Sequence, residues 1–189
     1  VDGDIGALCV NAYGVLATQD VSVLPTAALG GIFSETGSPA NLVNAAYLAE
    51  QKSVNVHVRT LDVPIDYAGM VDLVARQGAR EVEVACTVSI DDEQTRIVSI
   101  DGYKLDFVPG TNLMVLVYED KPGRLGQIGT IMGNAGINIE TLELSDAKKN
   151  GKDDNRALVV FNVDGPVPAQ VKDELERALA LDAGYYIDL

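Results

Sequence analysis

Apolar positions change their period along the chain, and the changes outline two domains. Residues 5–15 are mostly apolar and predict a strand, closed by the turn-prone Thr18-Gln19-Asp20. In residues 21–34, Val23, Leu24, Ala27, Ala28 and Phe33 fall at spacings that suit a helix. Pro25 sits in its first turn, where a missing N–H costs nothing. Leu42, Ala45, Ala46 and Ala49 predict a second helix, with Asn41 as its N-cap. The period then drops to two. Val54, Val56 and Val58 alternate with Asn55, His57 and Arg59, and Val82, Val84, Cys86 and Val88 alternate with Glu81, Glu83, Ala85, Thr87 and Ser89. Such alternation places one face of a strand in a core. Asp101-Gly102, between apolar runs at 96–100 and 103–107, predicts a tight hairpin, because these residues accept the positive φ that the turn requires. The first domain, residues 1–110, therefore reads as α+β, with helices on a mostly antiparallel sheet ending at Pro109-Gly110.

Residues 111–189 have another rhythm. Positions 113–118 are apolar on both faces, as in a central strand. Leu125, Ile128, Gly129 and Met132 form one helical stripe, and Gly136 suits the left-handed residue that ends it. A strand at 137–144, a polar loop at 146–155 and a strand at 157–163 follow. Val171, Leu175, Ala178 and Leu179 mark a second helix, and 185–187 a last strand. The order βαββαβ is the ferredoxin-like arrangement. So small a core makes pairing with a second copy physically attractive.

Charge and composition narrow the function. The 189 residues carry a net charge of −14, with 15 acids against 6 bases before Pro109 and 13 against 8 after it. Neither half offers the basic stripe that nucleic acid or an anionic membrane would need, so neither partner is expected. Cys9 and Cys86 each sit among alternating apolar residues, the setting of buried reduced thiols. No apolar run approaches the length of a membrane span and no signal peptide is evident, so a cytoplasmic protein is expected. A start at Val1 suits a piece of a longer chain.

Catalytic chemistry finds little support. Gly123-x-x-Gly126-x-x-Gly129 lacks the G-x-G of a dinucleotide fold and overlaps the amphipathic helix. His57 is the only histidine, with no thiol or acid arranged around it in sequence. Asp91-Asp92-Glu93 reads as a turn between strands. No catalytic residue, metal ligand or cofactor is expected in this segment.

Residues 118–126, Tyr-Glu-Asp-Lys-Pro-Gly-Arg-Leu-Gly, join a strand to a helix. The Pro122-Gly123 turn leaves backbone N–H groups at the helix start pointing outward, where they and the helix dipole favour a carboxylate. Asp120 adds the opposite charge nearby, suited to an ammonium. The loop thus matches an amino-acid zwitterion, and Asn138 could add an amide. The residues alone leave a plainer reading open, in which Asp120 caps the helix and Pro-Gly turns the chain.

The signature D-x-P-G-x-L-x-x-I at Asp120, Pro122, Gly123, Leu125 and Ile128, with G-I-N-I at 136–139, resembles the effector-binding motif of ACT domains. Residues 41–45 (Asn-Leu-Val-Asn-Ala), the stretch of strands and residues 96–102 (Arg-Ile-Val-Ser-Ile-Asp-Gly) resemble the intervening, allosteric substrate-binding domain of long-form D-3-phosphoglycerate dehydrogenases. Together they imply the C-terminal regulatory region of that family, with NAD and catalysis on dehydrogenase domains outside this segment. The resemblance further implies feedback control by L-serine held between ACT domains of a homo-oligomer. Asp120 and the Pro122-Gly123 turn would hold one side of the serine and Asn138 from the facing subunit the other, with Tyr118 lining the edge and Leu125 and Ile139 also among the effector-binding residues. It also implies an anion or phosphate site at Arg96 and Lys104, although Val108 stands where a further basic residue is expected. Two alternatives are the β part of an iron–sulfur L-serine dehydratase, whose Ser- and His-rich stretch near the chain start has no counterpart here, and a free-standing ACT-type dimerisation module.

Overall fold

The computed structural model describes residues 5–35, 40–63, 65–89, 93–149 and 152–188. The chain divides into two compact units, Val1–Asp101 and Gly102–Leu189. The division falls inside the turn at Asp101-Gly102, earlier than the sequence expectation of 110/111. Both turn residues have positive φ, 49° and 81°.

The first unit contains β1 (Ala7–Gly14), α1 (Val23–Glu35), α2 (Ala45–Gln51), β2 (Asn55–Leu61), β3 (Gly69–Gln77), β4 (Arg80–Val88) and β5 (Thr95–Ile100). The strands of this unit lie in the order β2-β1-β3-β4-β5, and β6 (Tyr103–Phe107) opens the second unit. Of the strand pairs described, only β1–β2 is parallel; the others are antiparallel. Leu8 and Val10 of β1 bury against Leu29 and Phe33 of α1 and Ala45 and Ala49 of α2. The helical stripe differs from expectation: Leu24, Ala28, Leu29, Ile32 and Phe33 face the core, whereas Val23 is 55% exposed.

Asn41 does act as a cap, but of the turn preceding α2. Its Oδ1 accepts from the Val43 and Asn44 amides, while Asn44 Oδ1 accepts from the Asn41 amide. This is the reciprocal bonding of a capping box built from two asparagines. The alternation at 54–59 overstates burial, since Val56 and Val58 are exposed. They lie opposite Leu8 and Val10, on the helix face, but β2 is an edge strand. Register also separates the cysteines. Cys9 pairs with Val74, and Cys86 with Val71 opposite Ala12, so the two point to opposite faces of the sheet. Both are free; Cys9 is buried and Cys86 half-buried. The expected turn at Asp91-Asp92 lies outside the described residues.

The second unit holds β7 (Asn112–Glu119), α3 (Arg124–Asn134), β8 (Ile139–Lys149), β9 (Lys152–Val163), α4 (Ala169–Leu179) and β10 (Ala183–Asp188), with sheet order β10-β7-β9-β8. This is the predicted βαββαβ arrangement. β7 lies inside the sheet and is apolar on both sides. Met114, Leu116 and Tyr118 join Phe161, Ile128, Met132, Leu175 and Leu179 in the helix-side core, while Leu113, Val115, Leu158 and Val160 are buried as well.

Segment 106–110 is tied to this sheet by hydrogen bonds. The Asp106 amide donates to the Glu143 carboxylate, and the Gly110 amide to Asn162 Oδ1 at 2.8 Å. Asn162 Nδ2 in turn donates to the Val108 carbonyl at 3.0 Å and to Thr141 Oγ1 at 2.7 Å. The predicted loop at 146–155 is shorter than expected, because β8 runs on to Lys149 and β9 starts at Lys152. No helix among the described residues is long and apolar enough to cross a membrane.

Candidate functional site

The site forms where β7 hands over to α3. Leu113, Met114, Val115 and Leu116 fix β7 in the sheet, so the chain leaves it at one defined end. Beyond it the backbone of Asp120 is held twice: its amide donates to the Asn155 carbonyl at 2.8 Å, and its carbonyl accepts from Asn155 Nδ2 at 3.2 Å. Lys121 and Glu119 form an ion pair, and that bond holds the Glu119 carboxyl below its ordinary pKa. Asp120 is exposed, and its carboxylate has no hydrogen-bond or ion-pair partner among the described residues.

Gly123 occupies the N-cap position with φ 90° and ψ −6°, and no side chain caps α3. The amides of Leu125 and Gly126, in the first turn, are therefore left for solvent or a ligand. With no acid in that turn, the positive end of the helix is unneutralised by the chain itself. The exposed Asp120 carboxylate precedes these N–H donors on the same loop, so the segment carries the two charges that a zwitterion would meet in mirror image. Added at Gly123, a Cβ would meet nothing within 4 Å, so the glycine serves φ alone. Gly123→Ala is expected to lower the unfolding free energy of the second unit by about 1–2 kcal/mol, the cost of a left-handed non-glycine residue, read as a lower urea midpoint with unchanged slope.

Sequence reasoning missed Arg124. Its guanidinium donates to the Ala178 carbonyl at 3.0 Å, near the C-terminal end of α4, and to Gln127 Oε1 at 3.2 Å. The cation is thereby directed to the negative end of the second helix. Nothing in the local sequence signals a contact 54 residues away.

Tyr118 is 1% exposed and belongs to the core, below the loop rather than at its rim. Burial raises its pKa, and the Asp120 charge adds to the effect. Pro122 is exposed and Leu125 is 41% exposed.

Asn138 lies elsewhere. The helix before it ends in a Schellman motif: Gly136, at φ 72°, bonds to the Gly133 carbonyl and Ile137 to that of Met132. Asn138 is then held on both sides of its backbone by Asp164, while its side chain is exposed. Ile139 packs on the core at the start of β8. An 11-residue helix, about 16 Å long, separates the Asp120 and Asn138 ends of α3. One chain does not bring Asp120 and Asn138 together.

Two features lie between those ends. β8 is an edge strand with Leu142 and Leu144 about 40% exposed. On α3, Gly126, Gly129 and Gly133 are exposed, and a Cβ at any of them would meet nothing within 4 Å. Each costs about 1 kcal/mol against alanine in a helix, with no return inside this chain.

Of the anion-site residues, Arg96 is half-buried on β5 opposite Thr87, and Lys104 is exposed on β6 in the second unit. His57 is exposed on edge strand β2. A dinucleotide does not fit the glycines at 123, 126 and 129. Gly126 and Gly129 lie within α3, and the preceding strand β7 is antiparallel to both its neighbours.

Comparison with known proteins agrees with this division. Residues 1–101 match the D-3-phosphoglycerate dehydrogenase intervening domain, and residues 111–180 match the ACT domain. The chain is 34% identical over 178 residues to a D-3-phosphoglycerate dehydrogenase of Mycobacterium leprae, covering 92% of this chain and 33% of that protein. It is 26% identical to one from Archaeoglobus fulgidus (99% and 35%) and 25% identical to one from Bacillus subtilis (96% and 34%). The chain spans about a third of the length of these relatives. Matched over more than half its residues by the intervening-domain model and over most of the rest by the ACT model, this chain belongs to the D-3-phosphoglycerate dehydrogenase intervening-domain family and carries an ACT domain behind it.

Proposed function

We propose that this chain is the regulatory segment of a D-3-phosphoglycerate dehydrogenase, and that it binds L-serine between the ACT units of two copies to restrain catalysis on domains beyond it, where NAD would also be held. The observation that carries this reading is the pairing of an unpartnered Asp120 carboxylate with the uncapped, positive start of α3. An ammonium would face the first and a carboxylate the second. The separation of Asn138 from Asp120 supports a shared site. If the edge strands β8 of two copies pair antiparallel, the partner copy runs in the opposite direction, so its own Asn138 comes to the end at which Asp120 stands. The exposed glycines on α3 would let the two helices approach closely. The relatives support the D-3-phosphoglycerate dehydrogenase reading over the dehydratase one.

A ligand that binds only the folded state stabilises it by about 2.7 kcal/mol at a hundredfold excess over Kd. Saturating L-serine should therefore raise the unfolding temperature of the chain, and Asp120→Ala or Asn138→Ala should each abolish the rise. Mixing the two inactive variants should restore it in part, because a mixed pair keeps one intact site. No rise in the folded parent chain would overturn the effector reading. A rise without recovery in the mixture would confine the site to one copy.

A further inference from the structure

We propose that Asn11 and Asp72 form a proton-holding acid–amide pair, in which Asp72 remains a neutral carboxylic acid at neutral pH. The two residues stand directly opposite one another on β1 and β3, on the sheet face turned away from the helices. Asn11 Nδ2 donates to Asp72 Oδ2 at 2.8 Å. That bond leaves Asn11 Oδ1 and Asp72 Oδ1. Both are closed off from solvent and neither has a donor.

Two bare acceptors on directly opposed side chains are unfavourable in any fold, because each has lost water and gained nothing. A bound water or cation would need space beside these oxygens, and both are sealed. A single proton needs none. Carried on Asp72 Oδ1, it donates to Asn11 Oδ1 and closes a two-point ring, the acid's O–H and the amide's N–H each meeting a carbonyl-type oxygen. Directly opposed cross-strand side chains lie close enough for such a ring.

The surroundings agree. On the same face, register brings Cys9 and Tyr13 from β1, His57 and Arg59 from β2, Arg76 from β3, Glu81 and Glu83 from β4, and Arg96 from β5. His57 and Arg59 are exposed on the edge strand, and Arg76 is engaged by Glu81. Asp72 itself is 6% exposed. Burial raises its pKa most; the Asn11 bond opposes this, and the charge of Glu81 adds to the rise. For an acid whose folded pKa exceeds its unfolded value, the stabilisation is complete below the unfolded value. It is lost as pH rises toward the folded one.

The test compares the parent chain with Asp72→Asn, both in a Cys86→Ser background. Urea unfolding of the first unit is followed by pulsed labelling of the buried Cys9 thiol. Toward Asn11, asparagine offers one N–H donor and one carbonyl acceptor as the neutral acid would, without its titration, and carries one further N–H. The folding constant of the Asn variant relative to the parent should rise about tenfold per pH unit above the ordinary aspartate value of about 4, and still be climbing between pH 6 and 7. A ratio already flat by pH 6 would mean that Asp72 is ionised, and would overturn the proposal. Carbon-13 NMR of aspartate-labelled parent chain gives a reading independent of whether the variant folds. One carboxyl should keep its protonated shift at pH 7; finding every aspartate ionised there overturns the pair.

Discussion

Gly14→Ala is expected to lower the unfolding free energy of the first unit by about 3–5 kcal/mol, from backbone strain and overpacking together. Gly14 ends β1 with φ 63° and ψ −132°, a region that only glycine enters freely. A Cβ there would run into the carbonyl oxygen of Ala68 and come within 3.1 Å of its carbon. Neither atom can swing aside, because that same carbonyl accepts the Val15 amide at 2.8 Å. Gly30→Ala serves as a control, since a Cβ at Gly30 meets nothing within 4 Å and φ is not positive. Urea unfolding followed by Cys9 labelling measures both. Loss of less than 1 kcal/mol at Gly14 would show that the end of β1 can relax.

Asn162→Ala should cost the second unit about 3 kcal/mol. The side chain is 6% exposed and makes three hydrogen bonds, to the Gly110 amide, the Val108 carbonyl and Thr141. Truncation leaves two part-buried backbone groups without partners, and a group so stranded costs about 1–3 kcal/mol where water cannot replace the partner. Thr141→Val provides the contrast. It removes one partner while the amide keeps its bond to Val108, so about 1 kcal/mol is expected. Thermal unfolding of both variants separates the outcomes; equal losses would place the stabilisation in Thr141 rather than in the backbone segment.

Local chemistry made much of the fold legible in the sequence. Alternation located β4, Asp-Gly located the β5–β6 turn, and Gly136 located the end of α3, because each is decided by backbone geometry within a few residues. Long-range partners were hidden. Val56 and Val58 alternate as a buried strand would, yet edge position leaves them exposed. β3 was not resolved as a separate strand, and its Asp72 breaks the apolar pattern because it faces Asn11 from 61 residues away. At the site, Pro122-Gly123 and Asp120 were readable because one loop holds them. The distance to Asn138, the core position of Tyr118, and the Arg124 and Asn155 contacts depend on which helix and strand ends meet in space. No short window of sequence records that.

The tether between segment 106–110 and the second sheet has a bearing on how such a module can move between proteins. Sequence similarity to the ACT family begins at 111 and ends at 180. The compact body begins at Gly102 and includes β10, which pairs along one side of β7. A graft trimmed to the recognisable limits would carry Asn162 without Gly110, and β7 with an open edge. The portable unit is thus longer at both ends than its signature, and recombination that respected the signature alone would deliver a damaged part.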